Sequence, residues 1–188
     1  MTARSLVEEL QLLGRESYKK VLLHHGVPEP CFGVKIEELK KIQKRIRKDY
    51  RLALELYATG VYDAMYLAGL IADDAQMTKD DLHGWAATAC GPLAGSIVPW
   101  VAAGSPHGRE LALEWIGSEK ELIAVAGWAT LSSLVSIKSD SELDLAGLRD
   151  LLDRVLRTIH DAPDPVRYQM NEFVIAVGSH VQPLTRLA

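Results

Sequence analysis

From Leu6 to Val177 the apolar residues return every three or four positions, and they never alternate with polar ones over a strand's length. That periodicity restricts the chain to helices, and the residues between the apolar runs say where each helix stops. Leu6, Leu10, Leu13, Tyr18, Leu22 and Leu23 predict one long amphipathic helix, ended by Gly26-Val27-Pro28. A second helix starts near Lys35, with Ile36, Leu39, Ile42 and Ile46 as its apolar face. Leu52 to Tyr57 form a third, which Gly60 can end, and residues 61–74 a fourth. Thr78 and Asp81 have capping-box spacing and open a fifth helix, carrying Trp85 to Gly91-Pro92. Leu93 to Ala103 is a sixth. Ser105-Pro106, the pair Ser118 and Glu121, the pair Ser141 and Asp144, and Asp164-Pro165 open four more. The same spacing puts Leu39, Ile42, Leu67, Leu70, Leu113, Leu131, Leu151, Phe173 and Val174 in the core.

Ten or eleven helices with short connections in 188 residues are too many and too short for a four-helix bundle. They predict an all-α fold: HEAT-like antiparallel helix pairs stacked as a curved α-solenoid, with residues 1–188 as a single domain. Aromatics are only 6% of the chain, which agrees with helix over sheet. No apolar run reaches the ~18 residues of a membrane span. Cys31 and Cys90 are too few for a disulfide scaffold, so a reducing, cytoplasmic setting is expected. There is no GxxxxGK phosphate loop and no GxSxG elbow. Adjacent His24 and His25 cannot share a helical face, and neither cysteine has a CxxC partner, so no metal and no cofactor are expected.

The net charge is −4, so no global positive field draws in a polyanion. The charge is nevertheless uneven. Between Gly33 and Arg51 stand eight basic and three acidic residues, a local +5, against 13 basic and 22 acidic elsewhere. Helical spacing groups Lys40, Lys44, Arg47, Lys48 and Arg51 on a polar face opposite the apolar stripe. Such a run is either a solvated face or a phosphate contact. Trp85, Trp100, Trp115 and Trp128 all fall between residues 80 and 130. Helix packing accounts for most of them, and Trp85, next to Gly84, is the one best placed to meet a ligand. Cys31 reads equally as a buried or a reactive thiol. Arg167 and Asn171 share a helical face and read first as capping or inter-helix groups.

Taken in order, Cys31-Phe32-Gly33-Val34-Lys35, Glu38-Leu39-Lys40-Lys41-Ile42, Gly84-Trp85, Trp115-Ile116-Gly117-Ser118 and Pro165-Val166-Arg167-Tyr168 resemble the AlkD-like DNA alkylation repair family. The resemblance runs from about Tyr18 to the end. It implies a HEAT-like repeat fold and duplex DNA held on a basic concave face. The residues it implies for DNA contact are Lys35, Lys40, Lys41, Lys44, Arg47, Lys48, Arg51, Trp85 and Arg167. The family's glycosylases release alkylated, positively charged purines. For that chemistry the pattern has an aspartate four positions after the tryptophan, an arginine early in the helix after Trp115, and a second tryptophan soon after Arg167. This chain has Ala89, the stretch Leu122-Ile123-Ala124-Val125, and Glu172 at those places. The resemblance therefore implies the fold and DNA binding without the standard alkylpurine glycosylase activity. A protein-interaction scaffold, or a glycosylase built on Glu172 or Asp63, are the alternatives. Leu184 to Ala188 end without a helix cap, so the family's C-terminal end is expected to be missing.

Overall fold

The computed structural model describes Met1–Ala188 and has no strand. Its helices are α1 Ala3–Leu13, α2 Glu16–His24, α3 Ile36–Ile46, α4 Tyr50–Tyr57, α5 Tyr62–Ile71 and α6 Lys79–Thr88, then the single turn α7 Gly91–Ala94. They continue as α8 Ile97–Gly104, α9 Gly108–Trp115, α10 Glu121–Ile137, α11 Leu145–Thr158 and α12 Asp164–His180. The all-α expectation is borne out. The chain divides into two compact units, Met1–Leu93 and Ala94–Ala188. No helix is long and apolar enough to cross a membrane.

In the first unit α4 and α5 form a hairpin across the short connection 58–61; α3 packs on α5, and α1 packs on α4 and α5. Leu6 and Leu10 of α1 meet a core that includes Leu39, Ile42, Leu56, Leu67 and Ile71. The expected long first helix is two helices instead, because the chain turns out at Gly14, with ψ 144. A tertiary contact forces this turn. The Arg15 N–H donates to the Gly33 carbonyl at 3.1 Å, and a Cβ on Gly14 would lie 2.5 Å from the Phe32 carbonyl oxygen. Only glycine lets the 32–33 backbone cross so close to the helix end.

In the second unit α10 is the central element, packed by α8, α9 and α12. Trp128 meets Phe173 with ring centroids 5.4 Å apart, and the Arg154 guanidinium lies 5.7 Å over the Trp128 ring. α10 comes so close to the end of α9 that a Cβ on Gly127 would fall 2.6 Å from the Ile116 nitrogen.

Seven of the nine residues expected in the core are buried, and Leu113 and Val174 are corrections. Leu113 is 37% exposed on α9, at the rim of a shallow apolar recess shared with Leu131 and Leu151. The buried stripe of α12 is Val166, Met170, Phe173 and Val177, and Val174 sits one helical step off it, half-buried.

The helix starts follow local chemistry unevenly. Thr78 and Asp81 form their reciprocal box. Ser118 and Glu121 do not: Lys120 occupies the N-cap of α10, and Ser118 Oγ accepts the Lys120 N–H at 3.1 Å. Ser141 does not cap α11 either. Asp144 takes that place, accepting the Gly147 N–H at 3.0 Å, while Ser139 and Glu142 form a box one turn earlier. Ser105 donates to the Ala102 carbonyl, so α9 starts later, at Gly108. The sixth helix breaks between Ala94 and Ile97 into α7 and α8.

Candidate nucleic-acid interface

The basic run is not carried by one helix, as its spacing suggested. α3 ends at Ile46, residues 47–49 connect, and Arg51 lies in the first turn of α4. Asp49 makes the break. Its carboxylate caps α4 by accepting the Leu52 N–H at 3.0 Å, and its own N–H donates to the Ile71 carbonyl at 2.8 Å. Along this stretch three candidate cations lean on carboxylates of the chain itself. Lys41 bonds both Glu38 oxygens at 2.9 Å, Lys48 meets Asp74 at 2.5 Å, and Lys35 lies 3.8 Å from Glu37. Lys40, Lys44, Arg47 and Arg51 are exposed and form no ion pair. Exposed pairs hold only about 0.2–1 kcal/mol, so the paired lysines are readily exchanged onto a phosphate.

Arg47 adds a second signal. Its φ is 67 and ψ −124, a backbone that side chains with a Cβ rarely adopt, and its N–H closes α3 on the Gln43 carbonyl at 2.6 Å. Glycine fits that conformation without strain. Arg47→Gly is therefore expected to raise stability by about 1 kcal/mol, seen as a melting temperature higher by roughly 2–4 °C in calorimetry. An unchanged or lower value would mean that the arginine is not strained there.

The loop that leads into α3 is pinned by a buried carboxylate. Asp63, in the first turn of α5 and 1% exposed, accepts the Phe32 N–H at 2.6 Å and the Val34 N–H at 2.7 Å. Both oxygens are thereby committed to the fold. Cys31 beside it is 1% exposed, and burial, helped by the negative Asp63, pushes its thiol up to about 11. It is protonated at neutral pH, which settles the sequence ambiguity in favour of a small buried group.

Trp85 lies in the same unit, on α6. It is 4% exposed and stacks flat on Tyr57, with centroids 4.1 Å apart and planes 5° from parallel. The Tyr57 hydroxyl donates to the Trp85 carbonyl at 2.9 Å. Together they wall a cleft of about 400 Å³ that also touches Pro28, Tyr62 and Cys90. Burial pushes the Tyr57 and Tyr62 phenols well above their usual range, so both stay neutral donors. Ala89 is buried at the end of α6. Sequence reasoning missed Tyr57 as the partner of Trp85, since it reads as an ordinary core position of α4 and the pair is 28 residues apart.

Arg167 belongs to the second unit. Its guanidinium donates to the carbonyls of Ile159, His160 and Ala162 at 3.2, 3.4 and 3.0 Å, and pairs with Asp164. It ties the start of α12 to the end of the preceding turn. Where the family pattern has its arginine, Ala124 and Val125 are buried in α10. Glu172 stands half-buried in an open groove with Trp100.

The family model for DNA alkylation repair enzyme matches residues 6–188. Uncharacterized proteins of Listeria innocua and Listeria monocytogenes are 29% and 28% identical to the chain, in both cases over 98% of it and 82% of the relative. A solved structure, of a new family of proteins related to the HEAT-like repeat DNA glycosylases with affinity for branched DNA structures, matches with a TM-score of 0.95. Its identity is 36%, over all of this chain and 80% of that one.

Proposed function

The chain belongs to the DNA alkylation repair enzyme family, and from that premise we propose that it is a HEAT-like DNA-binding protein that grips the phosphate backbone with the basic run of its first unit. The observation that carries the reading is the set of four unpaired, exposed cations, Lys40, Lys44, Arg47 and Arg51, which run along α3 and through the connection into the first turn of α4 in an otherwise acidic chain. Lys35, Lys41 and Lys48 are held in reserve by Glu37, Glu38 and Asp74, of which only Glu37 is fully at the surface. The affinity of the structural relative for branched DNA supports DNA as the partner, with the duplex arms of such a structure meeting the basic run. The free thiols of Cys31 and Cys90 fit a reducing cytoplasm.

Phosphate contacts release counterions, so affinity falls with salt in proportion to their number. The test is fluorescence anisotropy on a duplex and on a junction with the same arms, titrated across salt. Changing Lys40, Lys44 and Arg51 together to glutamine is expected to weaken binding to every sequence alike. It should also flatten the slope of log K against log salt by up to ~3. Unchanged affinity and slope would make the run a solvated face.

A further inference from the structure

The second unit carries a groove whose charge is wrong for phosphate and whose surfaces suit a base. It has a volume of about 380 Å³, and none of the residues lining it is a lysine or arginine. Its walls are Trp100 of α8, Ile137 of α10 and Ile175 of α12, exposed by 51, 56 and 52%. The other three tryptophans are at most 4% exposed, so Trp100 is the single indole that the fold leaves in water. The groove's polar lining is Ser132, Ser133, Ser136, Glu172, Ser179 and His180. The hydroxyl protons of Ser132, Ser133 and Ser136 are already spent on the carbonyls of Trp128, Ala129 and Ser132, at 3.1, 3.0 and 2.8 Å. Those side chains, like the Glu172 carboxylate, therefore offer acceptors.

We propose that this groove is a binding site for an unpaired nucleobase bearing an exocyclic amino group, stacked on Trp100 and hydrogen-bonded by its edge to Glu172. A base has two apolar faces and a polar rim, which matches apolar walls around an acceptor-rich lining. Aromatic stacking is tolerant of base identity. A carboxylate instead selects an amino edge such as that of cytosine, and finds no donor at the corresponding position of thymine. A base within an intact duplex has neither face free. Flaps and branch points supply the unpaired ones. This assignment rests on the DNA-binding reading above and deepens it: the basic run supplies a salt-dependent grip on duplex, and the groove a salt-independent preference for unpaired bases.

The probes are a perfect duplex and the same duplex carrying a single-stranded oligo-dC or oligo-dT flap. Wild type should bind the dC flap more tightly than the duplex, and the flap should quench the emission of Trp100. Trp100→Ala should lose roughly 5- to 100-fold on the dC flap while leaving duplex affinity and the salt slope unchanged. Trp100→Phe should keep most of the flap affinity without the quench, and Glu172→Gln should narrow the preference for dC over dT. Because Trp100 and Glu172 are not core residues, melting curves close to wild type are expected for all three variants. Flap binding by Trp100→Ala equal to wild type would overturn the proposal and turn the apolar walls over to a protein contact. Equal binding of flap and duplex by wild type would overturn it as well. If wild type binds no duplex at all, the reading of the basic run fails by itself, and quenching by free oligo-dC still decides the groove.

Discussion

Asp63→Asn is expected to lower stability by about 3 kcal/mol, with a melting temperature lower by roughly 6–12 °C. The carboxylate is buried and gives one oxygen to each of two backbone N–H groups, at 2.6 and 2.7 Å. Charge-assisted bonds of this length are about twice as strong as neutral ones. Asparagine keeps one acceptor and sets an amide N–H₂ against the second donor, so one buried N–H loses its partner and meets another donor. Nothing else is in place to replace it, because the 31–34 loop is packed tightly on its other side. Gly33 has a φ of +76, and a Cβ there would meet the Lys19 nitrogen at 2.5 Å. The functional consequence follows from where the loop leads. Lys35 is the N-cap of α3 and makes no side-chain cap, so the start of the basic run is held by this anchor together with the backbone bond from Arg15 to Gly33. DNA affinity of the variant should therefore fall even below its melting temperature, through looser placement of Lys40 and Lys44. A loss of stability under ~1 kcal/mol would mean that the remaining support, the backbone bond from Arg15 to Gly33, holds the loop without Asp63.

The sequence is a good guide wherever structure is decided within a turn or two of helix. The stripe Ile36, Leu39, Ile42, Ile46 predicts α3, and it ends at Ile46 as the apolar spacing does. The Thr78–Asp81 box forms because both partners lie on one turn. Expectations fail where a distant segment decides. The break at Gly14 is made by residues 32–33, and the break after Ile46 is stabilised by a bond from Asp49 to Ile71. Neither partner is legible from local spacing. The same holds at the candidate sites. The basic run stands out by composition alone, whereas the unpaired state of Lys40, Lys44, Arg47 and Arg51 depends on which carboxylates the fold brings near. Trp85 reads as the tryptophan to watch, yet the fold gives its ring to Tyr57 and leaves Trp100 facing water. Helical period says which face of a helix is apolar, but it does not say whether a partner covers that face.

Base release from duplex DNA containing 7-methylguanine, measured with protein in excess in a single turnover, is expected to stay at the spontaneous rate. As the bond between sugar and base lengthens, positive charge grows on the sugar ring. A carboxylate fixed beside it stabilises that charge, and losing such a preorganised group typically lowers the rate by ~10²–10³. The three positions that the sequence offers for a carboxylate are each accounted for in the structure. Ala89 ends α6 without any charged group and is buried. Asp63 is enclosed, with both oxygens bonded to backbone, and cannot approach a sugar without dismantling the loop into α3. Glu172 is half-buried in a groove with no lysine or arginine to hold the adjoining phosphates, so nothing there fixes a sugar against its carboxylate. The stretch of α10 where the family pattern has its arginine has Ala124 and Val125 buried in the core instead. Trp85 cannot make up the difference, because a stacked indole walls a cleft without stabilising a developing cation as a full negative charge does. Release well above background would sink this expectation. Glu172→Gln would then be the first variant to make, since Glu172 alone of these carboxylates can reach DNA without unfolding the loop. Background release combined with salt-dependent DNA binding is the outcome the geometry supports, since the places where the family pattern has its site residues are alanine, valine and a glutamate in this chain.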